Sequence, residues 1–356
     1  KEMGFIENHH FINGTDLLYL YRTKKNRSKK GKFNIILKKI LTFKFVIKLY
    51  YLFFNNKFDR ELLSTFVGIN RPNVDNFRRN IHRLEKGLIM KSRKEIYALD
   101  YIEETVDEFG KLISTDKYYS TLKWGYDVLT EYFRTVGKSF YLNMVEDKFL
   151  KFAKEFNCDN EGTREIPYHR QAKKDFNIEY ENFYKLALYR RSVRFFKDKK
   201  VPREKIDKAI KIALQSPSAC NRQPFRMKII DDEKLKKQVS ALPMGIRGFN
   251  EQIPVLAVLI GNLSSFFDER DRHLIYIDTS LYAMSFVYAL EIQGISSCII
   301  NWPDLESQDL KMNKLLDLRD YERTIMLIGF GYADESVPVA YSSKKTLDEI
   351  RSFNNE

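Results

Sequence analysis

A chain of 356 residues, 44% of them hydrophobic, can hold one large domain or two ordinary ones and can bury a sizeable core. Its three cysteines, Cys158, Cys220 and Cys298, are far apart and odd in number; this excludes a disulfide framework, offers no CxxC metal pair, and fits a reducing compartment such as a cytoplasm. The net charge of +13 is concentrated between Leu17 and Phe58, where twelve Lys or Arg occur with no Asp or Glu, so the basic balance does not mark the whole chain as a nucleic-acid binder.

The first region spans residues 1–70. It begins at Lys1 without a methionine, which leaves open a native start further upstream, and it shows no secretory signal. A polar basic stretch, Arg22–Lys32, leads into Phe33–Phe54, where Ile36, Ile40, Phe43, Ile47, Tyr50 and Phe54 line one side of a predicted helix. Lys38, Lys39, Lys44 and Lys48 argue against a spanning helix, because each lysine near a bilayer centre costs about 2.5–3.5 kcal/mol. The helix is expected to pack on protein; the alternative is a peripheral contact of residues 22–54 with an anionic membrane surface. Nucleic-acid association through Arg22–Lys48 is a third option, resting on charge alone.

The second region, residues 71–184, is expected to be helical. Tyr101–Leu112 carries acids early and Lys111 late, as the helix dipole prefers. Ser120–Val136 repeats Leu122, Tyr126, Leu129 and Phe133, and Met144–Phe156 is a further helix candidate. The segment Asn80–Gly87 reads as a charged helix end with Gly87 as its C-cap; the functional alternative is a substrate or partner contact.

The third region, residues 185–356, alternates helices and strands. Val201–Gln215 is an amphipathic helix with Pro202 in its first turn. Phe225–Ile230, Val255–Ile260, Ser296–Ile300 and Thr324–Phe330 are strand candidates, and Ile277–Gln293 is a long apolar helix ended by Gly294. The pattern implies a layered α/β or α+β domain.

Four short pieces of this region carry chemistry. Arg190-Arg191-Ser192-Val193-Arg194 offers guanidinium forks and a hydroxyl to a phosphate. Ser216-Pro-Ser-Ala-Cys-Asn-Arg-Gln-Pro224 enters a strand with Pro217 fixing backbone and with Ser218, Asn221 and Gln223 able to meet a ring that bears donors and acceptors. Gly294–Trp302 joins the long helix to a strand whose end, near Asn301 and Trp302, could cover a cofactor edge. Ile328-Gly-Phe-Gly-Tyr332 is followed by Lys344 and Lys345, which could return to the same phosphate. Each alone has a plain structural reading: a solvated basic face, a polar turn, or an ordinary connection between helix and strand.

In this order and spacing the four pieces resemble the nitroreductase family, over a little under half of the chain. The resemblance implies an α+β layered fold, a central mixed sheet flanked by helices, preceded here by a mainly helical extension. It also implies FMN, held by an intertwined homodimer. Arg190 and Ser192 match the family's phosphate contacts and Arg191 a backbone contact. Arg194 matches the basic residue beside flavin N1 and O2, where a fixed cation stabilises the charge left by reduction. Pro217, Ser218 and Asn221 match the loop against the ring, Asn301 and Trp302 the strand end near it, and Lys344 and Lys345 the final basic pair. The family's Gly-Leu-Gly turn departs to Gly294-Ile-Ser. The implied activity is hydride transfer between NAD(P)H and a small organic substrate through flavin N5. The alternative is a flavin-binding scaffold or membrane- or partner-docking protein with little turnover. No Gly-x-Gly-x-x-Gly nucleotide fingerprint is present, so the nicotinamide is expected to bind transiently over the flavin.

Overall fold

The computed structural model describes residues 73–115, 117–156, 163–170, 178–266 and 269–354. The basic helix expected over Phe33–Phe54, and with it the membrane and nucleic-acid options, lies outside the described residues. Among the described residues no helix is long and apolar enough to cross a membrane.

Among the described residues four helices come first: α1 (Val74–Leu88), α2 (Ile102–Ile113), α3 (Tyr119–Thr135) and α4 (Phe140–Glu155). Asn73 starts α1 by accepting hydrogen bonds on its side chain from the backbone N–H groups of Asp75 and Asn76, at 3.0 and 3.3 Å. Ser139 does the same for α4, accepting from Leu142 at 3.2 Å, so this helix begins four residues before the sequence-based expectation. Phe77, Ile81 and Leu84 on α1 meet Val106, Phe109, Leu129, Tyr132 and Phe149 in one aromatic-rich core. The spacing of Phe77, Ile81 and Leu84 puts all three on one face of the helix.

Asn80–Gly87 is the end of α1, as expected, but Gly87 is not its cap. The helix continues through Leu88 to Ile89, and Gly87 lies in its last turn. There the Tyr97 ring packs so closely that a Cβ would sit 2.1 Å from it. The charges of the segment have internal partners: the Arg83 guanidinium lies 3.6 Å from the Tyr101 ring centroid, and the Glu85 carboxylate accepts from the Trp124 indole at 3.0 Å.

The chain continues with α5 (Tyr180–Tyr189), α6 (Arg203–Ala213), β1 (Phe225–Ile230), α7 (Glu233–Ser240), β2 (Val255–Asn262), α8 (Leu274–Ile292), β3 (Ser296–Asn301), α9 (Glu306–Leu316), β4 (Glu322–Gly331) and the short α10 (Leu347–Ile350). Pro202 sits one residue before α6, as its N-cap, rather than inside the first turn. Gly294, with φ of 72°, ends α8 as expected.

The strands form one sheet in the order β1-β2-β4-β3, antiparallel at each pairing. The expected mixed character reduces to one parallel bridge, Ser192 to Ser297, beside β3. β2 is buried along nearly its whole length because both faces are covered. Val255, Ala257 and Leu259 face a core built with α6 and α8, which includes Ala209, Phe286 and Leu290. Leu256, Val258 and Ile260 face a second core with Val239 of α7 and Met312 and Leu316 of α9. Two covered faces explain why this strand reads as an unbroken apolar run instead of an alternating one. The layered α+β architecture expected from the sequence is therefore present, behind a helical extension.

Candidate functional site

Residues 190–197 run in extended form along the sheet. Val193 N–H donates to the Ser297 carbonyl at 3.0 Å, Lys197 N–H to the Tyr332 carbonyl at 2.8 Å, and Asp334 N–H to the Phe195 carbonyl at 3.1 Å. These bonds tie the segment first to β3 and then to the chain leaving β4. Between the two lies a cavity of about 430 Å³, lined by Arg191, Ser192, Arg194, Glu291, Ser296 and residues 333–335 and 337–340. This is in the size range of small-ligand sites.

Cations and a hydroxyl converge here. Arg194 and Arg190, with a hydrogen bond from Ser192, oppose the effect of burial, which pushes the Cys298 thiol up. Burial also pushes the Glu291 carboxyl up, against a hydrogen bond from Ser296 and the charge of Arg190. Glu291 Oε2 is buried without a hydrogen-bond partner. Glu291 was not among the residues the motifs singled out; its signal is a carboxylate near the end of an otherwise apolar helix.

The Ser216–Pro224 loop is built at another place. Cys220, Asn221 and Gln223 all have positive φ, 52°, 53° and 52°. Such conformations cost non-glycine residues roughly 1–3 kcal/mol each and persist where neighbours enforce them. The enforcement is visible: Ser218 Oγ accepts from Gln223 N–H at 3.0 Å, and Gln223 Nε2 donates to Asn221 Oδ1 at 3.0 Å. Buried Asp278 of α8 accepts from Ala219 N–H at 3.0 Å, and Ser216 shares a 2.7 Å hydrogen bond with Ser285. Pro217 is exposed.

The two pieces do not meet within one chain. β1 and β3 are opposite edges of the sheet, about 14 Å apart at normal strand spacing. The loop also leads into the start of β1, which faces Gly261 at the far end of β2, whereas Ser192 bridges Ser297 near the start of β3, beside the end of β4. Along α8 the same offset separates Asp278, beside Ala219, from Glu291, beside Arg190, by about 20 Å at 1.5 Å rise per residue.

The remaining candidates are scattered. Asn301 is exposed at the end of β3. Trp302 is a core residue, 8% exposed, packed among Val193, Phe196 and Ile300, with its indole N–H donating to Asp309 at 2.7 Å. Its side chain is held inside, so only its backbone remains for a cofactor. Lys344 and Lys345 are exposed on the chain after β4 and do not line the cavity.

The nitroreductase family model matches residues 187–246 and 242–332. This part of the chain is similar to the nitroreductase family. Iodotyrosine deiodinase of Thermotoga neapolitana is 28% identical over 193 residues, which cover 48% of the chain and 98% of that protein. Iodotyrosine deiodinase 1 of Homo sapiens is 23% identical over 228 residues, covering 56% of the chain and 78% of that protein. A nitroreductase family protein from Streptococcus pneumoniae aligns in structure with 25% identity and a TM-score of 0.42, over 48% of this chain and 100% of that one. An FMN-dependent nitroreductase from Clostridium difficile aligns with 24% identity and a TM-score of 0.42, over 48% and 98%. The matched residues contain the sheet and both candidate pieces, and the helices α1–α4 precede them.

Proposed function

We propose that the chain is an FMN-dependent oxidoreductase working as a homodimer, with NADH or NADPH as reductant and a small organic molecule as substrate. The single observation that carries this is the placement just described. A phosphate-type cluster at one corner of the sheet and a strained polar loop at the opposite corner are too far apart for one flavin mononucleotide to span. Two chains related by a twofold axis would bring the cluster of one against the loop of the other.

Exposed apolar surface supports the dimer. Tyr276, Ile277, Leu281 and Ile292 of α8 are 38–67% exposed, although the helix is apolar nearly all round. The chain after β4 is extended and exposed, and carries Leu347, Ile350 and Phe353 in the open. Docked on a second copy, it would cover these residues and could bring Lys344 and Lys345 to a phosphate.

The residues present fit FMN. Arg190 would supply charge-assisted donors and Ser192 a hydroxyl to the phosphate. The carboxylates lining the cavity have other partners: Asp334 accepts from Ser336 N–H at 3.0 Å and Glu335 pairs with Lys197. Burial pushes the Glu291 carboxyl up, which lessens its opposition to an anion. Arg194 would hold positive charge beside flavin N1 and O2. Pro217, Ser218 and Asn221 would fix the ring. When bound, FMN would supply hydride transfer at N5, so no side chain need act as a proton carrier.

The names of the curated relatives favour a second substrate class, halogenated phenols, with a carbon–halogen bond replaced by carbon–hydrogen at the expense of two electrons and a proton. The test is the visible spectrum of the purified protein before and after NADPH. A flavin band that bleaches supports the proposal, and turnover of a nitroaromatic against an iodophenol then separates the substrate classes. A colourless protein that FMN does not reconstitute overturns it.

A further inference from the structure

We propose that Arg78, on the helical extension, is a positioning residue for the flavin-ring loop, which makes the extension part of the redox site. This rests on the FMN reading above and adds a residue outside the matched family domain.

The geometry is specific. Arg78 Nε donates to the carbonyl of Asn221 at 2.9 Å, across 143 positions of sequence. That carbonyl belongs to the middle of the three positive-φ residues, where the loop most needs an external restraint. The guanidinium is itself fixed from behind. Its Nη1 donates to Thr121 Oγ1 at 2.7 Å, and its plane lies 5.2 Å from the Trp124 ring centroid, both on α3. The slot exists because α1 and α3 approach closely at Gly125, where a Cβ would sit 2.3 Å from the Phe77 ring.

One turn earlier on the same helix face, Asp75 hydrogen-bonds to Ser265 and accepts from Asn262 Nδ2 at 3.3 Å. Its charge opposes that of Arg222, the loop residue after Asn221, which is 4% exposed and whose guanidinium carbon lies 4.9 Å from the Phe266 ring centroid. The extension and the loop therefore exchange one charge in each direction. α1 restrains the loop through the Arg78 hydrogen bond and sets the Asp75 carboxyl in the field of Arg222. A loop so held keeps Ser218 and Asn221 ready for the ring, and keeps a cation one peptide group from the surface the ring would meet. That cation favours the reduced, more negative flavin.

The experiment compares full-length wild type with Arg78→Ala, Arg78→Lys and Thr121→Val, reading FMN Kd by fluorescence quenching, the flavin absorption envelope and the midpoint potential. Arg78→Ala should weaken FMN roughly tenfold, as expected for loss of a charge-assisted hydrogen bond. It should also alter the absorption envelope and lower the midpoint potential. Arg78→Lys should restore most of each, and Thr121→Val should shift all three mildly in the same direction. A purely structural role would lower the melting temperature and leave the bound flavin's spectrum and potential unchanged, and that result overturns the proposal. If Arg78→Ala does not fold, Thr121→Val with wild-type flavin properties overturns it. A wild type that binds no FMN is a failure of the functional proposal instead.

Discussion

Asp75, on the first helix of the extension, accepts a hydrogen bond from the hydroxyl of Ser265, 190 positions further along the chain. Burial pushes the Asp75 carboxyl from 3.8 up to about 6, against the Ser265 hydrogen bond and the charges of Arg78 and Arg222. The folded state thus holds this proton more tightly than the unfolded chain. The stabilising contribution is full below pH ~4 and is lost as pH rises through about 6, with a slope of at most about 1.4 kcal/mol per pH unit. Asp75→Asn removes the ionisation. Urea midpoints measured from pH 4 to 7 should move in favour of the variant relative to wild type as pH rises; a constant difference would show that burial of this carboxyl does not govern the dependence.

Arg190 and Arg194 have separable roles. Arg190→Ala should weaken FMN by about 10- to 100-fold, the range for a hydrogen bond to a charged group, with a strong dependence on salt. Arg194→Ala should cost less affinity but lower the midpoint potential and slow reduction by NADPH. Fluorescence titration and a redox titration with reference dyes distinguish them. Equal effects of both variants on both quantities would remove the distinction between phosphate and ring contacts.

The diagonal placement of cluster and loop predicts complementation between subunits. A heterodimer of Arg190→Ala and Asn221→Ala chains has one site with both defects and one with neither. In an equal mixture refolded at random about half of the dimers are heterodimers, so the mixture should recover about a quarter of the wild-type FMN stoichiometry, whereas each parent homodimer binds weakly. No recovery, in a mixture shown to exchange subunits, would place both elements of a site on one chain. Leu347→Asp with Ile350→Asp should shift the dimer toward monomer in sedimentation, because these side chains are exposed in the single chain.

Gly125→Ala should destabilise the extension by about 1–3 kcal/mol, the usual cost of overpacking, because the added methyl would collide with the buried Phe77 ring. The Phe77 shift would also disturb Arg78, so FMN affinity should fall with stability. Chemical denaturation alongside FMN titration checks both.

Trp302 separates packing from cofactor contact. Trp302→Ala should cost about 3–5 kcal/mol, typical of large aromatic truncation in a core. Trp302→Phe, which mainly loses the bond to Asp309, should cost less and leave FMN stoichiometry unchanged.

Local chemistry was well expressed in the sequence. Phe225–Ile230 was bounded correctly because Pro224 and the Asp231-Asp232 pair flank a short apolar run, and Gly294 marked the end of α8 because that position needs φ of 72°. Gly87 misled because a glycine near a helix end resembles a cap, whereas its real constraint is the Tyr97 ring, brought there by the following turn. The inward placement of the Trp302 side chain, by contrast, is set by the layer packed on β3, which its position at a strand end does not reveal.

The sequence by itself determined which pieces make up the candidate site, since the order of Arg190–Arg194, the Ser216–Pro224 loop and the glycine-marked strand end is a property of the chain. Only the tertiary structure decided where they stand. Strand order β1-β2-β4-β3 sets the cluster and the loop at opposite edges and opposite ends of the sheet, a relation that depends on pairings between residues far apart in the chain. The same applies to Arg78 and Asn221, and to Asp75 and Ser265. Hydrogen bonds across 143 and 190 positions leave no periodicity or spacing to read, because their geometry is fixed by the packing of two helices and a strained loop against one another.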